Sequence, residues 1–134
     1  MPLASSAKLG QLNAAKETIQ EAALQDPIRT AILPCEIKSR EFDSKLLLAC
    51  ILAERGWRII VGSRNHIHLK LARLTRSVYL GKDVRYSSQI IVQILNKLGH
   101  QFIAQDEEAQ FYFSRERYRK ARVHPEVLQA AKHL

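Results

Sequence analysis

The chain has 134 residues, of which 46% are hydrophobic and 25% charged, and it carries a formal net charge of +8 at pH 7. That length sustains one hydrophobic core rather than two ordinary domains, and the balance is that of a globular protein, not a disordered one. The longest strongly apolar run, Leu46 to Ala53, covers eight residues where a membrane-crossing helix needs about 20, and Met1 to Ala7 lacks the charged and apolar regions of a secretory signal, so a cytoplasmic protein is expected.

In chain order, Ala7 to Leu24 predicts a helix with Leu9, Leu12, Ile19 and Ala23 on one face, its alanines and alternating Lys16, Glu17 and Glu21 suiting an exposed setting. Asp26-Pro27 ends it, because the residue before proline resists helical geometry. Residues 1–28 are therefore an N-terminal helical extension to a domain spanning 29–134. Arg29 to Ile37 holds the first strand, buried at Ala31 to Leu33 and closed by Pro34, which cannot donate to a central ladder. A polar loop, Glu36 to Glu41, leads to a helix from Phe42, on which Phe42, Leu46, Ala49, Cys50 and Ala53 recur at three- and four-residue steps. Gly56 stops that helix in the left-handed conformation. Trp57 to Val61, Asn65 to Leu74 and Ser77 to Leu80 follow as strand, helix and strand, with Gly62 and Gly81 as turn residues. Ser87 or Ser88 caps a helix whose Ile90, Ile91, Ile94, Leu95 and Leu98 form a wide apolar stripe. Gly99 ends it, Gln101 to Ala104 is the fourth strand, and a short basic helix and another from Pro125 to Leu134 complete the tail.

Strands alternating with helices across connectors of a few residues are the pattern of consecutive βαβ units. The expected fold is α/β: a Rossmann-like three-layer α/β/α arrangement of about four parallel strands in the order 3-2-1-4, with right-handed crossovers placing helices on both faces.

In open parallel sheets, ligands bind beyond the carboxyl ends of the strands, near the point where strand order reverses. Four segments write that edge here: Glu36 to Asp43; Gly62, Ser63, Arg64 and Asn65; Gly81, Lys82 and Asp83; and Asp106, Glu107 and Glu108. Neither GxGxxG nor GxxxxGK[ST] occurs, so close backbone approach to a pyrophosphate, and with it NAD-dependent or P-loop chemistry, is not supported. In the first segment Lys38 and Arg40 could hold a phosphate or carboxylate, helped by the helix N-terminus. Glu36, Glu41 or Asp43 could accept sugar hydroxyls or act as a general base. The alternative is structural: Glu41 and Asp43 favour the helix dipole, and Lys38 and Arg40 pair with them. The three acids from Asp106 are either solvated or matched by Arg115 and Arg119. Cys35 and Cys50 read as buried free thiols, and the five histidines have no metal-ligand spacing, so no metal or other cofactor is expected. The excess charge suits a phosphorylated small molecule, an anionic membrane surface or nucleic acid. Nucleic acid has the least support, since the basic stretch Arg115 to Arg122 comes with no RNP pattern, zinc-finger spacing or recognition-helix signature.

The run Pro34-Cys-Glu-Ile-Lys-Ser-Arg-Glu-Phe-Asp-Ser-Lys-Leu-Leu-Leu48 is followed by Ala53-Glu-Arg-Gly56, a strand ending at Gly62, Gly81-Lys82 after the third strand and Asp106-Glu-Glu108 after the fourth. This succession resembles the bacterial surface carbohydrate (polysaccharide or lipopolysaccharide) biosynthesis proteins, whose pattern reads approximately E-I-K-x-R-E-x-x-x-K-L-L-L, then A-E-R-G, then D-E-E-G. Glu36, Ile37, Lys38, Arg40, Glu41, Lys45 and Leu46 to Leu48 match, while Ala109 stands where glycine is usual. The resemblance covers roughly residues 30 to 120. It implies the start of the N-terminal Rossmann-like domain of a two-domain, GT-B-type glycosyltransferase. Such enzymes place a sugar acceptor mainly on the N-terminal domain and a nucleotide-sugar donor mainly on the C-terminal one. It implies further a partial domain, inactive without a donor-binding half, that works with a second glycosyltransferase domain or as a homo-oligomer, with peripheral contact at the inner face of the membrane. The alternative function is a stand-alone module binding a phosphorylated sugar or nucleotide ligand.

Overall fold

The computed structural model describes residues 28–106 and 114–131, together with Asn13. The rest of the expected extension helix, and Glu107 and Glu108, lie outside the described residues. The elements are β1 (Thr30–Cys35), α1 (Lys38–Glu54), β2 (Arg58–Ser63), α2 (Arg64–Lys70, prolonged by a 3-10 turn at Leu71–Arg73), β3 (Val78–Gly81), α3 (Gln89–Lys97, preceded by a 3-10 turn at Tyr86–Ser88), β4 (Gln101–Ala104), α4 (Arg115–Arg122) and α5 (Pro125–Ala130).

The four strands form one all-parallel sheet flanked by helices, a Rossmann-like α/β architecture. Their order is β2-β1-β3-β4, which corrects the expected 3-2-1-4. That expectation required β2 to lie inside the sheet. Instead Arg58 and Ser63 are exposed and the residues between them only half-buried, the signature of an edge, whereas all six residues of β1 are buried. The chain leaves β1 in one direction to reach β2 and then crosses back over β1 to build β3 and β4. With right-handed crossovers, this reversal puts α1 on one face and α2 and α3 on the other.

The reversal also sets where the core sits. Ile32, Tyr79 and Phe102 are paired across three neighbouring strands and point to one face. There they pack with Ile67 and Leu71 from α2 and its 3-10 turn, Val92 and Leu95 from α3, and Val127 from α5. Ala31 and Leu33, one residue out of phase, point to the opposite face.

Two glycines end helices as the sequence predicts. Gly56 and Gly99 have φ of 81° and 78°, and each closes a paired C-terminal motif. The Gly56 and Trp57 amides donate to Ala53 and Leu52, and those of Gly99 and His100 donate to Asn96 and Leu95. Other local expectations are corrected. Helix α1 begins at Lys38, four residues before Phe42, so most of the supposed polar loop is its first turns. Its buried residues are Glu41, Lys45 and Ala49, while Leu46 and Cys50 are exposed. The helix is apolar nearly all round after Lys45, so periodicity alone could not orient it. Of the two cysteines, only Cys35 is buried. Ser88 does not cap α3 with its side chain; its hydroxyl donates to Asp83 instead, at 2.7 Å. The expected apolar stripe of α3 is also too wide, for Val92 and Leu95 are buried while Ile90, Ile94 and Leu98 are exposed.

Candidate functional site

Because order reverses between β1 and β3, the chain segments leaving these two strands diverge and a cleft opens between them. The register traces the parting. The strands pair at Ala31↔Val78 and Ile32↔Tyr79, while β1 stays paired with β2 as far as Cys35. Pro34 is thus inside β1 rather than at its close. With no N–H to give, it falls beyond the last pairing with β3 and lines the cleft. The cavity has a volume of about 490 Å³.

Charged side chains meet at its mouth. Glu36, the first residue after β1, accepts from Arg64 at 2.8 Å and from Lys82, which follows β3. One carboxylate therefore ties the starts of three segments: the β1 loop, α2 and the β3 loop. The Glu36 amide donates to the Glu41 carboxylate at 2.8 Å, and Arg40 donates to the same group at 3.0 Å. Glu41 is 3% exposed. Burial alone would raise its pKa, but the Glu36 amide, the Arg40 guanidinium and the Lys45 ammonium together hold it below the usual 4.5. Glu41 is thus an ionised, fully engaged anchor rather than a proton acceptor in waiting.

Asp83 closes the other side in the same manner. It accepts from the Arg85 amide at 3.2 Å, from Arg85 Nε at 2.8 Å and from the Ser88 hydroxyl. Burial pushes this carboxyl up, and the Ser88 and Arg85 donors more than reverse that, leaving it below its ordinary 3.8. Deeper in, His68 Nε2 lies 2.7 Å from the Tyr79 hydroxyl. Burial raises the Tyr79 pKa well above its ordinary 10.0. Burial, and then the charge of Arg64, hold His68 below its ordinary 6.5. The wall from α3 is apolar, made by Ile90, Ile91 and Ile94. The cleft thus pairs a rim of charged side chains of both signs with an apolar flank.

Of the residues expected at the site, Glu36, Glu41, Arg64, Gly81 and Lys82 line this cleft. Lys38, Arg40, Asp43, Gly62 and Ser63 do not. Lys38 lies on the exposed side of α1 with its Nζ 5.9 Å from the centre of the Phe42 ring, Arg40 is turned to Glu41, and Asp43 is exposed. Once α1 starts at Lys38, these three side chains are spread around a helix rather than gathered in a loop. Gly81 is needed for packing, not for a turn, as its backbone lies against Phe102. Asp106 belongs to a separate cavity of about 400 Å³. It pairs there with Arg122 through two bonds of 2.7 and 2.8 Å and accepts from Tyr118 at 2.8 Å, so its described partners come from α4 but are not the expected Arg115 and Arg119.

Sequence reasoning missed His68, Tyr79 and Arg85, and had Lys45 only as a match to the resembling motif. A signal existed for two of them: His68 is one turn beyond Arg64 on α2, and Arg85 is two residues beyond Asp83. Nothing in the local pattern sets Tyr79 apart from a core aromatic. Among the described residues no group of three or more His, Cys, Asp or Glu side chains is placed to hold a metal ion, and no helix is long and apolar enough to cross a membrane. Comparison with family models, with curated proteins and with solved structures gives no match for this chain.

Proposed function

We propose that this chain is the acceptor-side, Rossmann-like part of a glycosyltransferase acting in bacterial surface carbohydrate assembly, and that the cleft between β1 and β3 receives a phosphorylated sugar or comparable anionic sugar compound. One observation carries the reading. Residues of the resembling motif that are far apart in sequence, namely Glu36, Glu41 and Lys45 on one side and Gly81 and Lys82 on the other, converge on one cleft at the reversal of strand order. Arg64 and Lys82 supply two cations for a phosphate. Glu36 holds both in place and offers a carboxylate for sugar hydroxyls, and the isoleucines of α3 form a surface for the apolar face of a sugar or base. Group transfer needs the reacting partners positioned in one water-poor cleft, so the donor comes from a second domain or chain, at the cytoplasmic face of a membrane.

Thermal-shift and calorimetric titrations with glucose 1-phosphate, UDP and UDP-N-acetylglucosamine test this. The expected result is saturable stabilisation by at least one of them, reduced about tenfold in affinity by Lys82→Ala or Arg64→Ala and unchanged by Lys38→Ala. No binding of any of the three, or an equal loss on Lys38→Ala, overturns the assignment of the cleft.

A further inference from the structure

His68 and Tyr79 both line the cleft, and their mutual hydrogen bond engages only one of the two imidazole nitrogens. Tyr79 is 3% exposed and sits mid-strand, stacked on Phe102 with ring centres 6.0 Å apart. Its hydroxyl is 2.7 Å from His68 Nε2. A buried phenol is best satisfied by giving its proton to an acceptor; with Nε2 in that role, Tyr79 donates and Nε2 carries no hydrogen. Burial and the nearby Arg64 charge keep the imidazole neutral at pH 7. In a neutral ring with a bare Nε2, the hydrogen must be on Nδ1.

We propose that His68, with its tautomer fixed by Tyr79, is the specificity donor of this cleft, presenting Nδ1–H to an acceptor oxygen of a bound phosphoryl compound beside the cations Arg64 and Lys82. Tyr79, which also lines the cleft, is the positioning residue. His68 and Arg64 lie one turn apart on α2, so a phosphate held by the guanidinium brings its ester or terminal oxygens towards the imidazole. A cationic histidine would attract any anion. A neutral, oriented N–H instead requires an acceptor oxygen at one place. The inference rests on the reading of the cleft as a sugar-phosphate site.

Nitrogen-15 NMR of histidine-labelled protein at pH 7.5 reads the tautomer without any ligand. The expected spectrum has His68 as Nδ1–H, and Tyr79→Phe, which removes only the donor, shifts it towards Nε2–H. Binding of glucose 1-phosphate is then compared in two variants. His68→Asn places an amide N–H near the Nδ1 position and should keep wild-type affinity within about threefold, whereas His68→Gln should weaken binding roughly tenfold. An Nε2–H tautomer in the wild type, or equal affinities of the two variants, overturns the role of His68 and leaves the cleft assignment standing. If wild-type protein binds no phosphorylated probe, the cleft assignment fails and this inference with it.

Discussion

Gly81 ends β3 with its backbone against the ring of Phe102, so close that a Cβ there would come within 2.5 Å of the ring carbon Cζ. Phe102 cannot yield easily. It is 1% exposed, stacked on Tyr79 and part of the cluster that joins α2, α3 and α5 to the sheet. Gly81→Ala should therefore destabilise the fold by about 1–3 kcal/mol, the usual cost of overpacking a filled core, measured as a lowered urea midpoint. Phe102→Leu in the same chain should recover part of that loss. A Gly81→Ala protein as stable as wild type would show that the ring has room to move. The same residue lines the cleft, so the packing that excludes a side chain also keeps the floor beside Lys82 open. Gly62 differs: a Cβ there would meet Ile67 at an ordinary 3.7 Å, and Gly62→Ala should cost little.

At the scale of elements, α4 and α5 are held by Val127 in the core and by described bonds to the residues that follow β3 and β4. Val84 and Val123 form a single parallel bridge, and the His124 amide donates to the Val84 carbonyl at 2.8 Å. The strongest described attachment is Asp106 with Arg122, whose side chains are 14% and 3% exposed. Removing one partner from so buried a pair leaves the other charge uncompensated. Asp106→Asn should cost about 3–5 kcal/mol and, before global unfolding, speed amide exchange in residues 115–131 relative to β1. Uniform exchange across the chain would mean that α4 and α5 unfold only with the sheet. Much of this level was legible in the sequence. All four strands, the helices between them and both glycine stops follow from pattern and turn chemistry. What escaped was whatever depends on tertiary pairing. Lys38-Ser-Arg40 carries no apolar period, so the first turn of α1 looked like loop. The strand order turns on which neighbour β1 takes on its second side, a choice to which right-handed crossovers are indifferent. Glu36, Arg64 and Lys82, expected at the carboxyl edge of the sheet, line the cleft, but His68 and Tyr79 come together there only because β3 lies beside β1.

For the molecule as a whole, the titrating groups in and around the core agree on how stability varies with pH. Glu41 and Asp83 have native pKa values below their ordinary 4.5 and 3.8. Their contributions are complete above those values and are lost as pH falls through the depressed native ones. His68 and His100 also lie below their ordinary 6.5, chiefly through burial. His100 is held as a neutral clip, accepting from the Ser77 amide at 3.2 Å and donating to the Leu71 carbonyl at 3.3 Å. Below pH 6.5 the unfolded chain takes up protons that the native histidines refuse, so unfolding is favoured as acid is added. Tyr79 and Tyr118 are raised above 10.0. Above that pH the unfolded phenols ionise first, and stability falls again. The urea midpoint should thus form a plateau between roughly pH 7 and 9.5, decline from 6.5 downwards through the histidines, and decline more steeply below about 4.5 through the carboxylates. Replacing His100 by Gln should lower the plateau through its lost bonds and at the same time flatten the slope between pH 6.5 and 5. That slope separates proton linkage from simple loss of packing: an unaltered slope in the variant would mean that His100 does not resist protonation in the native fold.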